Sequence, residues 1–188
     1  MSKNTTVKNP MKVITGEDTR WSYANVWEPK SINGSEPKYS CSLIIPKSDV
    51  DTLKKINAAI EEAKQNGIPK WGGKVPPNLK LPLRDGDIDR PDDEAYADSY
   101  FINATSQEAP GIVDRKRVKI TDPLAIYSGC YIRAAVNFYP FNANGNRGIA
   151  CGLQNIQFWE DGEPLNGRVR AEDEFDSLDD EDDEDFLD

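Results

Sequence analysis

Residues 129–160 hold the pattern that most constrains the fold. Ile132, Ala134, Val136 and Phe138 alternate with Tyr131, Arg133, Asn137 and Tyr139. A period of two over that length is a strand with one face against a core. Pro140 closes the strand, Asn142–Gly148 is a polar Asn/Gly hairpin tip, and Gly148–Trp159 returns as the partner before the Asp161-Gly162 turn.

Most other segments are of the same kind. Met11–Thr15, Arg20–Trp27, Tyr39–Ile45, Ser99–Ala104 and Val118–Thr121 read as strands, with turns over Pro29–Pro37 and at Pro110-Gly111. In the second of these, Trp21, Tyr23, Asn25 and Trp27 should share one face and Ser22, Ala24 and Val26 the other. Only Val50, Leu53, Ile56, Ile60 and Ala63 fall at helical spacing, with Ser48 as the expected N-cap and Gly67 as the stop. The predicted class is mainly β: an OB-fold-like Greek-key barrel with one helix at about residues 48–66 and a long loop over 68–94, ordered around Trp71 and Leu79–Leu81.

The last eighteen residues cannot join that fold. Residues 171–188 carry twelve carboxylates and no Lys or Arg. Charge this dense repels itself, so a disordered acidic tail is expected after a domain at 11–170, with 1–10 a loose N-terminus. The tail holds twelve of the chain's 33 acidic residues; the other 21 face 23 lysines and arginines, so the body is about +2 although the chain is −10. A polyanion tethered to a mildly basic body suggests a built-in competitor for nucleic acid. Phe186 and Leu187, beside the terminal Asp188, add an apolar end that solubilisation alone does not need.

Composition removes several classes of activity. There is no histidine, which excludes Ser-His and Cys-His nucleophiles and most zinc sites. No run of 18 apolar residues offers a membrane span, and Met1–Asn4 lacks the apolar stretch of a secretory signal. Cys41, Cys130 and Cys151 read as small core residues in a reducing cytoplasm. No Walker loop or dinucleotide-binding glycine pattern is present, so no cofactor is expected. Asp85, Asp87 and Asp89 begin like a calcium loop, but Arg90 stands sixth and Tyr96 twelfth where Gly and Glu are required.

Aromatic rings interleaved with cations suit a single strand of nucleic acid, because bases stack on rings while cations meet phosphates. Tyr131, Arg133, Asn137 and Tyr139 form such a stripe, and Trp21, Tyr23 and Trp27 a second ladder. Three basic clusters could follow a backbone: Arg115, Lys116 and Arg117 with Lys119; Lys70, Lys74, Lys80 and Arg84 along the long loop around Trp71, whose ring could stack a base; and Arg147 at the hairpin tip.

Five motifs then carry a resemblance: Arg20–Trp27, Leu81–Asp87, Tyr100–Ala104, Tyr127–Tyr131 and Asn146–Ala150. In this order and spacing the chain resembles a tailed-phage family of OB-fold single-stranded DNA-binding proteins, over roughly residues 11–175. The resemblance implies an OB barrel elaborated by the 68–94 segment, and sequence-independent coating of single-stranded DNA. It also implies an acidic tail that recruits replication partners, although this tail ends Phe-Leu-Asp rather than in a terminal Phe.

The expected function is therefore non-enzymatic single-stranded DNA binding in phage replication and recombination, in the cytoplasm of an infected bacterium. The contacts would come from the residues above. Phe186, Leu187 and Asp188 would dock phage or host proteins such as polymerase or helicase/primase, and a homodimer is compatible with the sequence. The alternatives are a metal-dependent nuclease or resolvase using Asp85, Asp87 and Asp89, and a virion or scaffolding protein.

Overall fold

The computed structural model describes residues 9–31 and 34–165. The acidic tail, with Phe186, Leu187 and Asp188, lies outside the described residues. The elements are β1 (Lys12–Ile14), β2 (Arg20–Lys30), β3 (Lys38–Pro46), α1 (Val50–Gly67), β4 (Leu83–Asp85), α2 (Gly86–Asp89), β5 (Ser99–Ser106), β6 (Gly111–Val113), β7 (Tyr131–Ala143) and β8 (Asn146–Glu160). β2, β3, β5, β8 and β7 pair in that order, and β7 meets β2 again at Arg20–Tyr131, which closes the circuit. The β5–β8 pairing is parallel and the other pairings in the circuit are antiparallel. This is the strand order of an OB barrel, with β3 and β5 as its second and third strands.

The alternation in β7 does what the sequence requires of it. Ile132, Ala134, Val136 and Phe138 are fully buried and meet Trp21, Leu43, Ile45, Ile102 and Ala104 from the other strands. Each of the larger side chains, Ile132, Val136 and Phe138, stabilises the fold by about 1.5–3 kcal/mol through burial. α1 adds Ile56, Ala59, Ile60 and Ala63 and packs on β7 and β1. The three cysteines are buried and free, and burial pushes the Cys41 thiol up to about 12.

Several boundaries move for local reasons. The helix cap is Asp49 rather than Ser48: its carboxylate accepts the Thr52 N–H at 3.3 Å. After Gly67 the chain continues as a 3-10 turn to Trp71, and the left-handed residue is Gly72 at φ 79°. Pro140 does not end β7; β1 pairs with β7 only at residues 135–137, so no ladder bond is lost there. The hairpin tightens to Asn144-Gly145, with φ of 52° and 85°, the left-handed pair a two-residue turn needs. Gly111 starts β6 rather than completing a turn, and the strand expected at 118–121 is reduced to a fold-back, in which Ile120 N–H donates to Ile112.

The 68–94 segment, expected as a loop in a fold with one helix, holds a 3-10 turn, β4 and the short helix α2. Trp71 is buried and donates its Nε1 to the Phe141 carbonyl at 3.0 Å. Lys80 exchanges backbone bonds with Arg147 and Ile149 at 3.0 and 2.9 Å. β4 pairs with β5, and α2 follows it, capped by the Asp85 carboxylate.

Candidate nucleic-acid interface

The outer face of β2, β3 and β5 is set by register. Ser40 opposes Thr105, Ser42 opposes Asn103 and Ile44 opposes Phe101, while Cys41, Leu43, Ile102 and Ala104 point to the core. The Ile44–Phe101 end is covered. Tyr96 packs on Phe101 edge-to-face at 5.1 Å, donates its hydroxyl to Ser42 at 2.9 Å, and has its phenol pushed up by burial. Leu165 completes that apolar patch. The rest of the face is open: a groove of about 290 Å³ lined by Tyr23, Asn25, Lys30, Arg90, Asn103 and Thr105 over the serines of β3.

A bulge delivers Tyr23 to this groove. Ser22 pairs with Ser42 and Asn25 with Ser40, so β2 spends three steps where β3 spends two. The extra residue breaks the predicted alternation. Trp21 turns wholly into the core and donates its Nε1 to the Tyr127 carbonyl at 2.7 Å, whereas Tyr23 is 57% exposed at φ 50°. A non-glycine residue held left-handed is uncommon, and such backbone strain clusters at functional sites. Arg90, from the loop after α2, stands over the rings of Tyr23, Tyr96 and Phe101 at 5.3, 4.8 and 5.6 Å. On its other side is a charged cup formed by Arg84, Asp89, Asp92, Asp93 and Glu94.

The expected site residues fall into separate places. Trp21 and Trp71 are buried and present no ring to a base, which corrects their assignment as stacking residues. Trp27 packs against the core. Tyr131, Arg133, Asn137 and Tyr139 lie on the outer face of β7; Asn137 pairs with Gly152 of β8, which pairs in turn with Thr105 of the groove, and the Tyr139 ring lies against the same glycine. Tyr131 sits under Arg20 at 5.6 Å, and Arg133 reaches the Thr15 carbonyl and the Gln157 side chain. Asn137 is half-buried beside Lys12 of β1, and Tyr139 is 39% exposed. The Asn142 side-chain amide donates to the Lys70 carbonyl and the Lys80 N–H to the Arg147 carbonyl, which brings these residues together at the hairpin end, with Lys74 just past the turn at Gly72. Arg115, Lys116 and Arg117 project from the loop after β6.

The carboxylates of the nuclease alternative are engaged by cations. Lys47 bridges Asp85 and Asp87 at 3.0 and 2.8 Å, and Arg84 holds Asp89 at 3.0 Å. The Lys47 ammonium holds the Asp87 carboxyl below its ordinary value, and the Asp98 N–H lowers it further. Among the described residues no cluster of His, Cys, Asp or Glu could hold a metal.

With this geometry in place, comparison with known proteins is direct. Residues 11–187 match the family described as the Enterobacter phage Enc34 ssDNA-binding protein. The chain belongs to this family. Protein p50 of Acyrthosiphon pisum secondary endosymbiont phage 1 is 32% identical over 186 residues, covering 90% of this chain and 96% of that one. The bacteriophage Enc34 single-stranded DNA-binding protein, solved in complex with ssDNA, superposes with a TM-score of 0.70 at 30% identity, over 82% of this chain and 88% of that one. The bacteriophage T7 single-stranded DNA-binding protein gp2.5 shares the fold at TM-score 0.58 and 16% identity, over 85% and 97% of the two chains. The family description and the two solved structures are those of single-stranded DNA-binding proteins.

Of the residues that line this groove, the expected site residues included Tyr23 and left out Asn25, Lys30, Arg90, Asn103 and Thr105. The signal for Asn103 and Thr105 was available: small polar residues alternate with Ile102 and Ala104 on β5, just as Ser40 and Ser42 alternate with Cys41 and Leu43 on β3. Nothing in the local sequence places Arg90.

Proposed function

We propose that this protein binds single-stranded DNA without sequence preference, through the groove over β2, β3 and β5. The observation that carries this reading is Tyr23, turned out by a left-handed residue beneath Arg90, above a polar floor on the face that OB folds use for oligonucleotides. A base stacks on Tyr23, Arg90 and Lys30 meet phosphates, and Asn103 and Thr105 supply hydrogen bonds without fixing base identity. Membership of the Enc34 family supports the same ligand.

The work of such a protein is to coat strands exposed in phage replication and recombination, in the cytoplasm of an infected bacterium. The acidic tail competes for the groove. Leu165 donates its N–H to the Ser128 carbonyl at 3.0 Å and packs on Ile44, Tyr96 and Phe101, so the chain that follows starts at the groove's rim. When DNA displaces the tail, Phe186, Leu187 and Asp188 become available to a polymerase or helicase/primase.

A fluorescence titration with poly-dT and with duplex DNA over a range of salt tests the reading. Preference for poly-dT, weakening as salt rises, is expected; equal affinity for duplex, or none for either, would overturn it. Deleting residues 171–188 should tighten binding at low salt, and unchanged affinity across the titration counts against competition by the tail.

A further inference from the structure

A second arrangement of cation and ring lies outside the groove. Arg115 lies over the Trp159 ring at 4.1 Å, and Arg133 approaches the same indole at 5.7 Å. The Asp114 carboxylate accepts the backbone N–H groups of Lys116 and Val118 at 2.8 and 2.9 Å, which folds the loop tightly. Arg115, Lys116, Arg117 and Lys119 are all left exposed. A guanidinium resting on an indole keeps its in-plane donors free, and those donors match the two oxygens of a phosphate. Two arginines approach a Trp159 ring that is only partly exposed, whereas Tyr23 beside its single arginine is 57% exposed, so this place suits a backbone better than a base.

The chain itself relates the two places. Trp159 and Leu165, which reaches the rim of the groove, are six residues apart, so their Cα atoms are separated by no more than about 20 Å. Between them, Glu163 is bound to Arg20 and Gly162 lies against Tyr131, so the patch is a neighbour of the groove and not part of it.

We infer that the Arg115–Trp159–Arg133 patch, with Lys116 and Arg117, is a second contact that takes the phosphate backbone of the strand held in the groove. This rests on the groove reading and extends it: short strands occupy the groove alone, and longer ones reach the patch. Footprints of about 4–16 nucleotides are known for OB folds and depend on binding mode.

The test compares the full chain with the triple variant Arg115→Ala, Lys116→Ala, Arg117→Ala on oligo-dT of about 6 and about 16 nucleotides, at several salt concentrations. The variant should bind the short oligomer within twofold of the parent. It should bind the long one about tenfold or more weakly, with the salt slope reduced by about 2, since each lost phosphate contact on a single strand removes about 0.7. Arg115→Lys alone should lose part of the long-oligomer affinity, because an ammonium neither stacks nor pairs bidentately. Unchanged long-oligomer binding overturns the inference, as does an equal loss at both lengths. Failure of the parent to bind the short oligomer sinks the groove reading instead, and the long-oligomer comparison still decides the patch. Matching thermal unfolding of parent and variant excludes a folding defect.

Discussion

Arg90 stands over Tyr23 with its guanidinium carbon 5.3 Å from the ring centroid and its Nη1 3.4 Å from the phenolic oxygen. The two residues are 67 positions apart, and one belongs to a strand bulge while the other follows a four-residue helix. Their meeting joins a flat ring to a cation at the mouth of the groove.

From that pair comes the first prediction. Tyr23→Ala should weaken oligo-dT binding by about 1–3 kcal/mol, the range for one lost base stack. Tyr23→Phe should keep most of the affinity. Arg90→Ala should instead flatten the salt dependence. Fluorescence titration reads all three, and an unaffected Tyr23→Ala would move the stacking site elsewhere.

Trp21 behaves oppositely. It is fully buried and bonded to the Tyr127 carbonyl. Trp21→Ala should therefore cost about 3–5 kcal/mol of stability, as large-to-small core changes do. Denaturant unfolding measures this. Affinity measured where the variant is still folded should stay within a few fold of the parent.

Asp87 gives a pH dependence. Its carboxyl is lowered by Lys47 and the Asp98 N–H, so folding is favoured above its unfolded value of about 3.9, and that contribution fades as pH falls through the lower folded value. Lys47, raised by Asp87 and Asp85, contributes in the opposite sense: fully below its ordinary value, and lost as pH rises through the folded one. Asp87→Asn should lower the melting temperature by a constant amount from about pH 5 to 9, with the gap closing below about pH 4. A gap that persists to pH 2 would separate the effect from ionisation.

Gly129 should tolerate no side chain. Its φ of 110° lies outside the range of L-residues, and a Cβ there would collide with the Glu163 carbonyl. Gly129→Ala should cost about 1–3 kcal/mol and free the 161–165 segment, which limited proteolysis would detect as faster cleavage there.

The barrel was legible because its evidence is local. Ile132 to Phe138 alternate cleanly, and the α1 positions from Leu53 to Ala63 repeat at helical spacing. The groove was only half legible. Tyr23 leaves the face of Trp21 because of a bulge that no glycine marks, so alternation alone put both on one side. Arg90 reaches the groove through a tertiary fold of the 68–94 segment that periodicity does not encode. Trp71 looked like a stacking residue because an isolated Trp in a Gly-rich loop resembles one; the hairpin that buries it is about 70 residues away.

If the acidic tail competes for the groove as proposed, the anchoring of Leu165 fixes how that competition depends on concentration. A ligand tethered beside its own site competes at a local concentration fixed by tether length, in the millimolar range for short flexible links. Diluting the protein leaves that concentration unchanged. Inhibition by the carboxylates would then be the same in a sparse and a crowded cell, and only the amount of exposed DNA would set how many tails are free.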